Sequence, residues 1–279
     1  MEGLTKRHTV IKSSRNVIDE TYWRFDLADR DSWKWVGESN PDVIINAAAY
    51  GVIKHEKDIE TMYATNYLRV AEFYDFLQTG GSKAFWLQLG TAFEYDLSII
   101  GGITETTRCL PRTHYGISKL MFSQFLRSKG VPGTFSILRP FGMFGKYEDE
   151  SKFFPMLINA QKSGQVIRLS SGTQQRDYFF IDDLTNFVES IVTLYSTGLL
   201  PPVMNLGSNQ PKSLRSYAEV LSTTFRQFNP SLWQWGARDF RGNESELFYN
   251  DSSLAISHGF KNSELREGLM NTTRHYWAD

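Results

Sequence analysis

The sequence has very little cysteine, since Cys109 is the only one among 279 residues. A single thiol excludes an internal disulfide framework and a cysteine-rich zinc site, and it is typical of proteins kept in a reducing compartment. We therefore expect a cytoplasmic protein that has no bound metal.

Long hydrophobic runs and an excess of one charge are also lacking. No segment approaches the roughly 20 apolar residues that span a bilayer, and the first residues contain no hydrophobic signal-peptide segment. Thirty Lys and Arg face 31 Asp and Glu, so the formal net charge is -1 and no overall field attracts nucleic acid or an anionic membrane. We expect neither as a partner, and local groups must hold any anionic ligand.

Short β-rich runs alternate with longer segments of helical period. The strands are predicted at 8–13, 42–48, 83–90, 134–140 and 203–207, and the helices at 59–77, 115–128, 151–163, 182–196, 214–227 and 263–276. Such alternation predicts the α/β class, with a parallel sheet covered by helices. Because ligands of open α/β sheets bind at the carboxyl ends of the strands, candidate site residues are sought there.

Three residues form a candidate proton-transfer site. Tyr115 and Lys119 are four residues apart on a predicted helix and share one face, and the cation is expected to lower the pKa of the phenol. Thr91 follows the strand 83–90, where its hydroxyl can bond a substrate oxygen. Taken singly, the Tyr–Lys pair also fits an ordinary surface helix, and Thr91 fits a turn cap.

Together the three residues resemble the Ser/Thr, Tyr and Lys set of the extended short-chain dehydrogenase/reductases. Further segments resemble that family in the same order: Phe25-Asp26-Leu27, Asn46-Ala47-Ala48-Ala49, Asn66, Thr91-Ala92-Phe93-Glu94-Tyr95 and Leu138-Arg139-Pro140-Phe141-Gly142. Chance agreement of five short motifs in sequence is improbable.

The resemblance implies a Rossmann-like, doubly wound parallel sheet. It implies a dinucleotide-binding domain at 1–145 and a mainly substrate-binding region at 146–279, from which 182–207 returns to the first domain. It also implies catalysis by Thr91, Tyr115 and Lys119, and a homodimer built on the helices at 59–77 and 115–129. The implied cofactor contacts, besides Tyr115 and Lys119, are Asp26, Leu27, Ala47, Ala48, Ala49, Asn66 and Phe141.

The second half of the chain resembles enzymes of nucleotide-diphosphate sugars. Arg176 lies in a segment similar to their Arg-Asp motif, and Arg241 in one similar to their Arg-x-x-Glu motif, so both are expected to bind the diphosphate. Arg168 is interpreted as a solvated surface residue. Thr91 and Phe93 are expected to contact the sugar.

The type of reaction is narrowed by the residues after Thr91. Dehydratases of the family carry an Asp-Glu pair where this chain has Ala92 and Phe93, which disfavours 4,6-dehydration. Reduction of a 4-keto-6-deoxy sugar and epimerisation remain. The chain looks most similar to 4-ketoreductases of the CDP-abequose or CDP-paratose synthase type, in which the nicotinamide gives the hydride and the tyrosine, here Tyr115, gives the proton.

The end of the first predicted strand bears on the choice between NAD and NADP. Ser13, Ser14 and Arg15 stand where an acidic residue would bind the ribose diol of NAD. This favours NADPH, although a polar turn with an exposed arginine would have the same sequence.

A strand and Gly-rich turn that would hold the dinucleotide pyrophosphate are missing before residue 8. We expect Met1 to be an internal or truncated start, and the missing strand to lie between the strands at 8–13 and 42–48. Three hypotheses stay open: a reductase, an epimerase and a non-catalytic nucleotide-sugar-binding protein.

Overall fold

The computed structural model describes residues 7–16, 19–53, 55–239 and 245–277. The chain forms two compact units. Unit 1 comprises residues 1–95, 109–139 and 185–204, and unit 2 comprises residues 96–108, 140–184 and 205–279. Within these described ranges, no helix is long and apolar enough to cross a membrane, and no group of three or more metal-ligating side chains occurs.

Unit 1 is built on a four-stranded sheet whose strands run in the order β11-β6-β4-β3. Strands β3, β4 and β6 pair in parallel, with Val43 opposite Phe85 and Trp86 opposite Phe135. In chain order the strands and helices of this part are β1 (Lys12–Ser14), β2 (Tyr22–Arg24), α1 (Asp31–Ser39), β3 (Val43–Asn46), α2 (Ile59–Tyr63), a π-helical turn (Ala64–Leu68), α3 (Arg69–Thr79), β4 (Phe85–Leu89), α4 (His114–Lys129) and β6 (Phe135–Pro140), with β11 (Val203–Leu206) crossing into unit 2. This parallel sheet with its helices confirms the predicted α/β class.

The apolar core of unit 1 joins its helices to the sheet. Trp33 of α1, Phe73 of α3 and Phe122 of α4 are buried together with Trp86 and Ile137 of the central strands. Burial of such side chains is the main favourable contribution to folding, about 1.5–3 kcal/mol for each large apolar group. The sheet is therefore a rigid base for residues at the ends of its strands.

The first predicted strand is shorter than expected. Only Lys12–Ser14 is extended, because its partner β2 is itself three residues long, and the two pair in parallel as a separate sheet. Strand β3 ends the four-stranded sheet, and within the described residues no strand pairs with its outer edge.

Unit 2 contains short strands around a second apolar core. Its elements are β5 (Gly101–Ile103), β7 (Gly142–Phe144), α5 (Phe153–Ser163), β8 (Ile167–Arg168), β9 (Gln175–Arg176), β10 (Tyr178–Phe180), β12 (Lys212–Ser213), α7 (Leu214–Thr224), β13 (Trp233–Gln234), β14 (Leu247–Asn250), α8 (Leu254–Ser257) and α9 (Leu265–Trp277), with α6 (Ile181–Leu194) beginning here and continuing into unit 1. Strands β12, β9, β14 and β5 form one sheet in that order. Phe154, Tyr217 and Leu269 bring α5, α7 and α9 together in the core.

Candidate active site

A turn after β4 presents the Thr91 hydroxyl. Thr91 caps a short 3₁₀ helix (Ala92–Glu94): its Oγ1 accepts a hydrogen bond from the Phe93 amide at 3.2 Å, and the Glu94 carboxylate accepts one from the Thr91 amide at 3.1 Å. This reciprocal arrangement is a capping box. It fixes Thr91, which is almost fully buried, at the carboxyl end of a central strand.

Helix α4 brings Tyr115 to that hydroxyl. The helix begins after Thr113, whose side chain accepts from the Gly116 amide at 3.0 Å. A Cβ on Gly116 would overlap the Phe93 carbonyl oxygen, so glycine permits the first turn of α4 to approach the Thr91 turn. The Tyr115 phenol lies near enough to the Thr91 side chain for that side chain to lower its pKa, and the Phe93 ring lies edge-on to the Tyr115 ring with centroids 6.1 Å apart.

The electrostatics of the pair differ from the expectation that Lys119 lowers the pKa of Tyr115. Burial raises the pKa of Tyr115 to about 12, against the lowering effect of its hydrogen bond with Thr91, while Glu94 and Glu56 raise it further. Burial also lowers the pKa of Lys119 to about 8, opposed by Glu94. The predicted lowering is wrong, because burial is the largest effect on the Tyr115 pKa and Lys119 is not among the groups that shift it. The Tyr115 phenol is therefore protonated at neutral pH.

Asn66 holds the segment after β3 against α4. Its side chain accepts from the Tyr50 amide at 2.8 Å and donates to the Tyr50 carbonyl and the Ser118 hydroxyl, both at 2.9 Å. The residue lies in the π-helical turn, a distortion that often marks functional sites. Asn66 thus acts on the position of Tyr50 and Ser118, and direct contact of its side chain with a cofactor stays a prediction.

The other predicted cofactor residues of unit 1 lie around strand ends. Ser13 and Ser14 end β1 and Arg15 follows, exposed. Leu27 packs on the core, whereas the Asp26 carboxylate accepts from the Ala28 amide at 2.9 Å. The three alanines after β3 vary in exposure: Ala47 and Ala48 are exposed and Ala49 is half-buried.

In unit 2, Phe141 and Arg176 have defined contacts. The Phe141 ring stacks on Phe248 with centroids 5.2 Å apart. The Arg176 guanidinium donates to the carbonyl oxygens of Gln175 and Ser245, each at 2.8 Å. Arg241 lies outside the described residues.

A cavity of about 540 Å³ in unit 2 is lined by Arg168 and Arg238 together with Gly236, Ala237 and Asp239. Its walls are positioned by backbone hydrogen bonds from Arg238 to Leu169 and from Gly236 to Ser170. Arg168 is exposed, in agreement with its interpretation as a solvated surface residue, whereas Arg238 was not singled out from the sequence. Only the pairing of β8 with β13, two strands of two residues each, brings them to one cavity.

Sequence reasoning also missed a buried ion pair beside Thr91, formed by Glu94 and Arg139. Two signals were available. Glu94 stands three residues after Thr91, the spacing of a capping box. Arg139 is the charged residue of a strand that is buried along its whole length, where a charge requires a partner.

Comparison with known proteins gives a family and two informative relatives. The profile described as NAD dependent epimerase/dehydratase family matches residues 3–207. CDP-abequose synthase of Salmonella typhimurium is 24% identical over 46% of this chain and 43% of its own length. UDP-glucose 4-epimerase of Streptococcus mutans is 26% identical over 67% of this chain and 63% of its own. The chain thus spans less than two thirds of the length of these curated relatives.

The fold is shared with solved structures of low identity. MoeE5 in complex with UDP-glucuronic acid and NAD has a TM-score of 0.83 at 19% identity, covering 99% of this chain and 93% of that one. That likeness confirms the Rossmann-like arrangement. With the family match covering most of the sequence, this chain belongs to the NAD dependent epimerase/dehydratase family.

Proposed function

We propose that the protein reduces the 4-keto group of a nucleotide-activated 6-deoxy sugar, with NADPH as the reductant. The observation that carries this proposal is the close approach of the Thr91 turn to the first turn of α4, which holds Tyr115, with Lys119 one helical turn further along the helix. A protonated phenol beside a fixed hydroxyl suits protonation of the oxygen of a carbonyl that is being reduced.

Each residue of the set has a distinct role. The Thr91 hydroxyl hydrogen-bonds the sugar carbonyl oxygen and orients it toward Tyr115. Tyr115 donates its phenolic proton to that oxygen as negative charge develops there. Lys119 stabilises the phenolate that remains, since it is buried on the same helix face. The exposed Phe93 ring is positioned to pack on the sugar.

The residues present fit the nicotinamide half of the cofactor. Among the described residues no hydrogen bond to the Lys119 ammonium is present, so this buried donor suits the ribose hydroxyls. The rest of the cofactor would contact Asp26, Leu27 and Ala47 to Ala49, while Asn66 holds Tyr50 in place. Phe141 is proposed as a further contact. When bound, the cofactor supplies the hydride. The described residues include no strand with a Gly-rich turn for the pyrophosphate.

NADPH is favoured by the end of β1. Ser13, Ser14 and the exposed Arg15 carry hydroxyl and guanidinium donors, which suit a 2′-phosphate, and no carboxylate stands there to bind a ribose diol. Comparing Michaelis constants for NADPH and NADH tests this preference, and Arg15→Ala should narrow the difference.

Unit 2 supplies the proposed contacts to the nucleotide diphosphate. Arg176 and Arg241 bind its phosphates, and the cavity beside Arg168 and Arg238 has room for part of the ligand. CDP-abequose synthase and UDP-glucose 4-epimerase act on nucleotide sugars by name, which supports this class of substrate.

Epimerisation is the second candidate, since the same three residues can serve it and UDP-glucose 4-epimerase is among the relatives. The test gives the purified protein NADPH with NDP-4-keto-6-deoxyhexoses, and in parallel NAD with UDP-glucose. Stoichiometric loss of NADPH absorbance identifies the reductase, whereas conversion of the sugar with no net change in the cofactor identifies the epimerase. Inactivity in both, with ligand binding retained, identifies a binding protein.

We also infer a homodimer in a reducing, cytoplasmic setting. The π-helical turn between α2 and α3 and the helix α4 expose apolar side chains, among them Leu68 and Met121. Pairing these helices with those of a second copy would bury them in a four-helix interface. Sedimentation equilibrium should give twice the chain mass, and Leu68→Glu should shift it toward the monomer.

A further inference from the structure

Behind the Thr91 turn lies an ion pair with almost no access to solvent. Glu94 and Arg139 are 0% and 1% exposed. The Arg139 Nε donates to Glu94 Oε2 at 2.9 Å, and Nη2 lies 2.9 Å from the same oxygen without hydrogen-bond geometry. The Arg139 Nη1 donates to the Tyr95 hydroxyl at 2.9 Å. The other ion pairs among the described residues are at least partly exposed.

The two carboxylate oxygens of Glu94 have different hydrogen-bond partners. Oε2 binds Arg139, and Oε1 accepts from the Thr91 amide at 3.1 Å. Gly90 makes room for this arrangement, because a Cβ there would lie 2.5 Å from Oε1. The strand β6 therefore fixes the backbone of Thr91 through Glu94, and the turn that carries Thr91 lies against the first turn of α4, where Tyr115 stands.

A buried ion pair is an expensive way to stabilise a fold, since apolar side chains of similar size often serve as well. Its position directly behind the Thr91 turn points to a role in the reaction. We propose that Glu94 and Arg139 are a positioning pair, which holds Thr91 in place and keeps a negative charge beside Tyr115 and Lys119. This proposal rests on the proposed function, in which those three residues act on the substrate.

The negative charge of Glu94 raises the pKa of both Tyr115 and Lys119. It adds to the burial that raises the pKa of Tyr115, and it opposes the burial that lowers the pKa of Lys119. Glu56, which accepts from the amides of Gly51 and Val52, is the other charged group that raises the pKa of Tyr115. Glu94 thus keeps both residues protonated to higher pH, the state needed for proton donation.

The test uses Glu94→Gln and the double variant Glu94→Gln/Arg139→Gln, which leaves no unpaired charge if the single variant folds poorly. In both, kcat should fall about ten- to a hundredfold while KM for the nucleotide sugar stays within about twofold, because misplaced catalytic groups cost rate. The alkaline limb of the kcat profile should move to lower pH by about one pH unit. Glu72→Gln, which breaks an exposed ion pair with Arg69, is the matched control. It should leave kcat and the alkaline limb of its pH profile unchanged.

A purely structural pair would lower the melting temperature without moving the pH profile. Wild-type kcat and an unshifted alkaline limb in a stably folded double variant would overturn the proposal. A second readout needs no turnover: NMR titration of ¹³C-labelled tyrosine, with the Tyr115 signal identified by Tyr115→Phe, should show earlier ionisation in Glu94→Gln. An unchanged midpoint would refute the electrostatic role of Glu94. An inactive wild-type protein would instead refute the proposed function.

Discussion

Replacing Lys119 by Met should make the protein more stable and inactive. Burial lowers the pKa of Lys119 from 10.5 to about 8, which corresponds to a destabilisation of about 3 kcal/mol when the side chain is charged in both states. Below pH 8 Lys119 is charged in both the folded and the unfolded state, so the full destabilisation applies. Between pH 8 and 10.5 the folded protein releases the proton before the unfolded chain does, so wild-type stability rises with pH across that window.

Urea unfolding of the ligand-free protein at pH 7 and pH 9.5 measures both effects. At pH 7 the free energy of unfolding of Lys119→Met should exceed that of the wild type by about 2–3 kcal/mol, and at pH 9.5 by clearly less. Lys129→Met, on the exposed end of the same helix, is the control and should change stability by less than about 0.5 kcal/mol. A destabilised Lys119→Met at pH 7, or a wild-type stability that does not rise with pH, would refute the reasoning.

Three further predictions concern single contacts. Tyr115→Phe should abolish turnover with nearly intact binding of NADPH and nucleotide sugar, because only the proton donor is lost; a tenth of wild-type activity would contradict its role. Arg176→Ala should weaken nucleotide-sugar binding in calorimetry by about 1.5–3 kcal/mol with NADPH unaffected, whereas the exposed Arg127→Ala should change neither. Asn66→Ala should lower the free energy of unfolding by about 2 kcal/mol, because it leaves the partly buried backbone amide and carbonyl of Tyr50 without these hydrogen bonds; an unchanged denaturation midpoint would contradict this.

Long elements with a clear period could be predicted from the sequence. The helix expected at 59–77 occupies 59–79, and the strand expected at 134–140 is Phe135–Pro140. The π-helical turn within that helix could not be predicted, because it depends on the contacts of Asn66 with distant Tyr50 and Ser118. Helix α1 was also missed: it has no side-chain N-cap and buries only Trp33 and Val36, so its pattern is weak.

The candidate site, like the fold, could be predicted from the sequence only in part. Thr91, Tyr115 and Lys119 follow from a strand end and an i,i+4 spacing, which are local features of the sequence. The pKa of Tyr115 does not follow, because it is set mainly by burial, which depends on the tertiary packing and not on the i,i+4 spacing. In unit 2 the strands that position Arg168 and Arg176 are two residues long, too short for any period to show.

The proposed reaction is the reduction of a sugar carbonyl with Tyr115 as the proton donor. The most direct measurement incubates the protein with an NDP-4-keto-6-deoxyhexose and NADPH that carries deuterium at the hydride-donating position, and locates the label in the product by mass spectrometry and NMR. If the protein is a reductase with Tyr115 as the proton donor, the product carries one deuterium at C4 of the sugar per NADPH consumed, and Tyr115→Phe gives none. A sugar recovered without deuterium while the wild-type protein converts it, or equal labelling by the Phe variant, would contradict it.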